Sequence, residues 1–311
     1  MTSLDGWVDT KDTLRIVVIG ASGQLATALR VVGHAQGQDI RSLGRGEVDL
    51  ASDQSFLDVL GNHRPDVVIN AAAYTQVDKA EDDESLAFAV NAHGPGRLAQ
   101  ACAALGAPLV HVSTDYVFDG TKAGAYVESD AVAPLNVYGR SKAFGEALVL
   151  QSGARAAILR TSWVYGASGG NFLKTMLRLG ASSARVRVVA DQWGRPTWAH
   201  DLARDCLGVA ALLHCRDARV EGILHASGGG PPCTWADFAR HIFDTASAHG
   251  ANAVEVERIA SSEFPTRAAR PANSVLSLDR MEAVLGARPD WRDSVQSVCA
   301  EIFAGGEMPP R

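Results

Sequence analysis

Apolar and polar positions along this chain follow two periods in turn. Residues 14–19 form a largely β-branched apolar run, the pattern of a strand buried on both faces. Residues 24–34 then space their apolar positions as a helix does. A weaker strand is expected over 40–43, a helix over 52–60 that stops at Arg64-Pro65, and a strongly buried strand over 66–71. Helical spacing runs through 84–105 and ends at Gly106, a natural terminating glycine. A strand over 108–113, a helix within 134–151 and a strand over 156–161 follow. Strands alternating with helices make βαβ units and a parallel sheet.

The second half is less regular. It predicts helices over 171–179, 201–214, 235–248 and 278–285, and strands over 186–190, 222–226 and 254–259. The run 222–226 (GILHA) reads as a strand returning to the main sheet. The expected architecture is α/β, a doubly wound parallel sheet with a smaller C-terminal substrate-binding lobe. The boundaries are a tail over 1–13, a nucleotide-binding domain over 14–165 with 199–228 rejoining it, and a lobe from 166–198 and 229–311.

The first strand runs into Gly20-Ala21-Ser22-Gly23-Gln24-Leu25-Ala26, a G-x-x-G-x-x-A turn that opens a helix. Gly20 permits the tight turn, Gly23 lets backbone approach a pyrophosphate, and Ala26 allows close packing of helix on strand. A helix N-terminus there offers free N–H groups to phosphate. These residues make the sheet Rossmann-type, with Gly20, Ser22, Gly23, Gln24 and Leu25 as cofactor contacts. A site for NAD ordinarily ends its second strand in an acidic residue. Here Arg45 stands after Leu43 instead, with Arg41 nearby. A guanidinium suits a 2′-phosphate, so NADPH is expected, with NADH as the alternative. Asp49 and Leu50 are placed to flank the adenine.

Composition narrows the class. With 311 residues, 47% of them hydrophobic and 21% charged, the chain carries enough apolar material for about two folded domains. A net charge of −6 argues against nucleic acid as a partner. No apolar run is long enough to span a membrane, and the tail lacks an apolar signal segment. The five cysteines form no C-x-x-C pair, which fits a reducing cytoplasm. The nine histidines form no H-x-x-H or H-E-x-x-H motif, so no catalytic metal is expected.

Lysine is scarce. Only five of the 29 basic residues are Lys, yet Tyr138 and Lys142 stand four apart. Five tyrosines and five lysines in 311 residues give about 0.08 such pairs by chance. On a helix the two share one face. Free tyrosine titrates near 10 and is a poor acid at neutral pH. A neighbouring ammonium is expected to stabilise tyrosinate and pull that pKa down. The hydroxyls of Ser113 and Thr114 end the 108–113 strand, where α/β proteins bind ligands.

The glycine turn, the Thr after a buried strand and Y-x-x-x-K, in that order, resemble the extended short-chain dehydrogenases/reductases. Within them, DVVINAAAYTQVDKAE (66–81), STDYVFDG (113–120), PLNVYGRSK (134–142), RTSWVY (160–165), NFLKTML (171–177), DQWGRPT (191–197) and RPANS (270–274) resemble the dTDP-4-dehydrorhamnose reductase family. The resemblance runs through roughly residues 14–295. It implies Thr114, Tyr138 and Lys142 as catalytic residues, and hydride transfer from NADPH to C4 of a 4-keto-6-deoxy sugar on a dTDP handle. It implies that Ala71, Ala72, Ala73 and Tyr74 lie against the cofactor, and that Tyr116 and Asn171 lie near the substrate. Trp163 is placed to flank nicotinamide or sugar. Arg195 stands in DQWGRPT where relatives commonly carry a small residue, and suits a diphosphate. The resemblance leaves room for a homodimer. Three other readings compete, and one is a reductase of another nucleotide-linked 4-keto-6-deoxy sugar. A 4,6-dehydratase would carry Asp-Glu after the Thr, whereas Thr114 is followed by Asp115 and Tyr116. A non-catalytic NADP-binding regulatory subunit would have no need of Thr114, Tyr138 and Lys142.

Overall fold

The computed structural model describes residues 13–305, so all but the last residue of the expected tail lies outside the described residues. Six strands form the central sheet: β1 (Arg15–Ile19), β2 (Asp39–Leu43), β3 (Val67–Asn70), β4 (Leu109–Thr114), β5 (Ala156–Thr161) and β6 (Gly222–His225). All pair in parallel, in the order β6-β5-β4-β3-β1-β2. The order reverses between β1 and β3, and the crevice at such a switch point is where doubly wound sheets bind ligands.

The β-branched runs explain the layers. Successive strand residues point to opposite faces, so a strand apolar at every position serves two cores. Ile16 and Val18 join one core with Leu29, Leu202, Cys206 and Leu213, from helices Gln24–Ala35 (α1) and Ala199–His214. Val17 and Ile19 join the opposite core with Leu60, Leu98, Cys102 and Val149. A third core holds Leu173, Met176, Phe238, Ile242, Trp291 and Val298, beside the parallel pair Arg185–Val189 and Glu255–Ile259.

Besides a short helix Val77–Ala80 and several two-residue strands that the sequence does not announce, three longer elements differ from the sequence expectation. The helix expected over 52–60 is Phe56–His63, because Ser55 caps it by accepting the Asp58 N–H. The span 84–105 is not one α-helix. It runs as Glu84–Phe88, a π-helical turn Ala89–His93, then Gly94–Leu105. Inside the π turn, Asn91 is buried and clasps the Tyr74 backbone from both sides, accepting its N–H at 2.8 Å and donating to its C=O at 3.0 Å. A helix Trp291–Ala304, absent from the expectation, supplies part of the third core. Among the described residues no helix is long and apolar enough to cross a membrane.

Helix Val137–Gln151 lies against the π turn so closely that a methyl group on Gly145 would overlap the Asn91 carbonyl. Overpacking of this kind costs roughly 1–3 kcal/mol. Gly145→Ala is therefore expected to lower the urea unfolding midpoint while leaving the slope unchanged. An unshifted midpoint would mean that the π turn yields freely.

Candidate active site

A cleft of about 570 Å³ opens above the C-terminal ends of β1, β3 and β4. Gly20, Ser22, Gly23, Gln24, Leu25, Arg45, Asp49, Leu50, Ala71, Ala72, Ala73, Tyr138 and Lys142 all line it. Gly20 turns the chain at φ 110°, in the left-handed region that favours glycine, and its N–H donates to the Leu43 carbonyl at 2.8 Å. A side chain on Gly23 would point into open space, and α1 begins there with no side-chain cap. The first N–H groups of α1 are thus left for an anion. Arg41 is spent on Glu47 at 2.8 Å, while Arg45 is exposed on the cleft rim and forms no ion pair among the described residues. The Asp49 carboxylate accepts the Ala51 N–H at 3.0 Å, which stiffens the opposite rim.

The three residues expected to be catalytic converge on one wall. Thr114 ends β4, accepts the Tyr116 N–H at 3.2 Å and donates to Asp115 Oδ1 at 3.0 Å. Helix Val137–Gln151 starts beside it, capped by Asn136, which accepts the Gly139 N–H at 2.7 Å. A methyl group on Gly139 would overlap the Tyr116 carbonyl, so glycine there lets the helix lie flush on the Thr114–Tyr116 segment. Tyr138, the second residue of that helix, lies beside Thr114. One turn on, Lys142 is 1% exposed and donates from Nζ to the Val112 carbonyl at 2.7 Å. A further turn on, buried Glu146 accepts Arg160 Nη2 at 2.7 Å and Ser113 Oγ at 2.6 Å.

Burial sets the protonation states. The Tyr138 phenol is pushed up to about 12 by burial, against the opposing effect of the neighbouring Thr114 side chain. This corrects the expected downward pull by the lysine. The charge acting on Tyr138 is that of Asp115, which also raises it, while Lys142 is turned toward Val112. The phenol therefore stays neutral near pH 7, the form a proton donor needs. Burial lowers Lys142 to about 8, although Glu146 pulls it upward. Asp115 rises to about 7 because it is buried.

Six expected site residues lie outside the cleft lining, Thr114 just behind Ser113 and five others further off. Tyr116 meets Tyr138 edge-on at 5.9 Å and lies beside Arg270, which is paired with Asp78 at 2.7 Å. Trp163 holds φ 49° and stacks on Trp235 with ring centres 3.5 Å apart. Asn171 caps helix Phe172–Ser182 and donates to Gln24 Oε1 at 3.0 Å, so it ties that helix to the glycine turn. Arg195 donates to the Leu276 carbonyl at 2.8 Å. Tyr74 donates its hydroxyl to Asp83 at 2.9 Å. Sequence reasoning missed Thr75, Gly169 and Gly170 as lining residues. The glycine pair was the available signal, since adjacent glycines mark close backbone approach. Among the described residues, no three His, Cys, Asp or Glu side chains group to hold a metal ion.

The family model for the RmlD substrate binding domain matches residues 14–303. The chain belongs to this family. A dTDP-4-dehydrorhamnose reductase from Sinorhizobium fredii is 41% identical over 296 residues, covering 94% of this chain and 99% of that protein. A probable dTDP-4,6-dihydroxy-2-methyloxan-3-one 4-ketoreductase from Streptomyces antibioticus is 37% identical, covering 96% of this chain and 99% of that one. The crystal structure of a Bacillus anthracis dTDP-4-dehydrorhamnose reductase in complex with NADP superimposes with a TM-score of 0.84 at 36% identity, covering 93% of this chain and all of that one.

In this RmlD-family member, the wall behind the cleft depends on the Glu146–Arg160 pair, whose side chains are 4% and 2% exposed. Removing one partner of a buried pair typically costs about 3–5 kcal/mol. Arg160→Met is expected to cost that much in urea unfolding at neutral pH. A loss well under 1 kcal/mol, as is usual for an exposed pair, would show that Glu146 simply takes up a proton.

Proposed function

We propose that this chain reduces the C4 keto group of dTDP-4-dehydro-6-deoxy-L-mannose to dTDP-L-rhamnose with NADPH. The observation that carries this reading is the convergence of Thr114, Tyr138 and Lys142 at a cleft floored by the glycine turn. The donor set fits a dinucleotide, because the uncapped end of α1 and the small residues Ala71, Ala72 and Ala73 leave backbone N–H groups and room for a pyrophosphate.

Each residue then has a distinct task. Thr114 holds the keto oxygen. Tyr138, a neutral phenol, gives its proton to the oxygen as negative charge develops there. Lys142 binds the ribose hydroxyls, and Arg45 takes the 2′-phosphate. Asp49 and Leu50 flank the adenine, with Tyr74 behind the alanine run. Bound nicotinamide supplies the hydride, and the protein supplies position and electrostatics. Residues 14–165 and 199–228 carry the cofactor, and 166–198 and 229–311 carry the sugar nucleotide. Tyr116 and Trp163 border the substrate side, Trp163 also facing the nicotinamide. Asn171 and Arg195 support that side by fixing its loops.

The likeness to a probable 4-ketoreductase supports a second reading, reduction of another nucleotide-linked 4-keto-6-deoxy sugar. The deciding assay supplies the dTDP-4-keto sugar and NADPH, follows nicotinamide absorbance and identifies the product. Turnover of only a different 4-keto sugar would favour the second reading, and tight NADPH binding without any turnover would leave a binding subunit. Tyr138→Phe is expected to slow turnover at least about a hundredfold, the scale of a lost general acid. An unchanged rate would remove Tyr138 from the mechanism. Arg45→Ala is expected to weaken NADPH binding more than NADH binding in a fluorescence titration. Equal losses would sink the 2′-phosphate assignment.

A further inference from the structure

Beneath Lys142 lie two buried side chains that the reaction just described does not use. His111 on β4 and Asn70 at the end of β3 are both fully buried, and the strand register sets them side by side. The Asn70 carbonyl oxygen accepts the Ala72 N–H at 3.2 Å. That bond fixes the amide's orientation, since the flipped amide would set its NH2 against a backbone N–H. The Asn70 NH2 consequently donates to His111 Nδ1, 3.0 Å away. A neutral imidazole that accepts at Nδ1 carries its hydrogen on Nε2. The ring is neutral, because burial holds its pKa well below the ordinary value and the charge of Lys142 lowers it further. Nε2 stands 3.5 Å from Lys142 Nζ, which donates to the Val112 carbonyl at 2.7 Å.

We propose that Asn70 and His111 form a tautomer lock that presents an N–H, not a lone pair, to Lys142 Nζ, making His111 a positioning residue that directs the lysine toward Val112 and eases loss of its proton. The proposal rests on the reading of Lys142 given above. The ionisable neighbours of the lysine are few. Tyr138 and Glu146 come from its own helix and His111 from β4, while Arg160 on β5 acts through Glu146. The facing π turn contributes the neutral Asn91, bonded to Ser141 at 3.0 Å. Among these, Glu146 favours the ammonium and burial opposes it, with the net effect downward.

The test is NMR of the full chain with 13C-labelled lysine and 15N-labelled histidine, where only five lysines compete for assignment. The native His111 ring is expected to show its hydrogen on Nε2 through the neutral range. A carboxylate only accepts, so Asn70→Asp is expected to move that hydrogen to Nδ1, turn a lone pair toward Lys142 and raise its pKa by about one unit or more. Adding His111→Phe to Asn70→Asp separates the tautomer from the new charge, and most of the rise is expected to vanish. A native ring protonated on Nδ1, an unmoved Lys142 titration in Asn70→Asp, or an equal rise in the double variant would overturn the proposal. Should Asn70→Asp fail to fold, the native tautomer decides alone. A Tyr138→Phe protein with unchanged turnover would overturn the functional reading and leave these titrations where they are.

Discussion

Glu146 is the buried charge around which the wall that carries Thr114, Tyr138 and Lys142 is assembled. A carboxylate so far from water is tolerable only when fully paired and hydrogen-bonded. Arg160 supplies two donors to it and Ser113 a third. Those partners come from β5 and β4, while Glu146 belongs to the helix that carries Tyr138 and Lys142. One anion therefore fastens three elements together, a single turn beyond the lysine. Gly139 and Gly145 complete the fit by letting the helix touch the Thr114–Tyr116 segment on one side and the π turn on the other. Tyr138 is set beside Thr114 by this clamp, and burial raises its phenol above the ordinary value.

Much of this was legible along the chain because the local signals agree with one another. The β-branched runs at β1 and β3 can be satisfied only between two helical layers, and the glycine turn between β1 and α1 has one economical use. Ala156–Thr161 was read with its observed ends. The π turn was hidden, because a one-residue insertion in a helix leaves the apolar spacing nearly intact. Helix Trp291–Ala304 was overlooked despite Trp291, Val295, Val298 and Ile302 falling on one face, since Arg292, Asp293 and Ser294 interrupt the pattern at its start.

The site was legible in its residue types and less so in its contacts. A motif names Asn171, Arg195 and Tyr74, but their side chains bind Gln24, the Leu276 carbonyl and Asp83 across long stretches of sequence. Such pairings exist only in three dimensions. The direction of the Tyr138 shift failed for the same reason. Sequence spacing told that an ammonium was near, while its turn toward Val112 and the burial that raises Tyr138 follow from the packing of β4, the π turn and the helix together.

The position of β6 has a consequence for how the polypeptide comes to exist at all. Residues 222–225 complete the edge of a sheet whose other strands lie before residue 162, and the helix Ala199–His214 roofs α1 and the outer side of β1. A growing chain that has emerged only through β5 still shows water the face formed by Ile16, Val18 and Leu29. The central sheet is thus completed late in synthesis even though the glycine turn stands near the start of the sequence. A fragment ending at β5 would lack both the edge strand of its own sheet and the helix that covers one face of it.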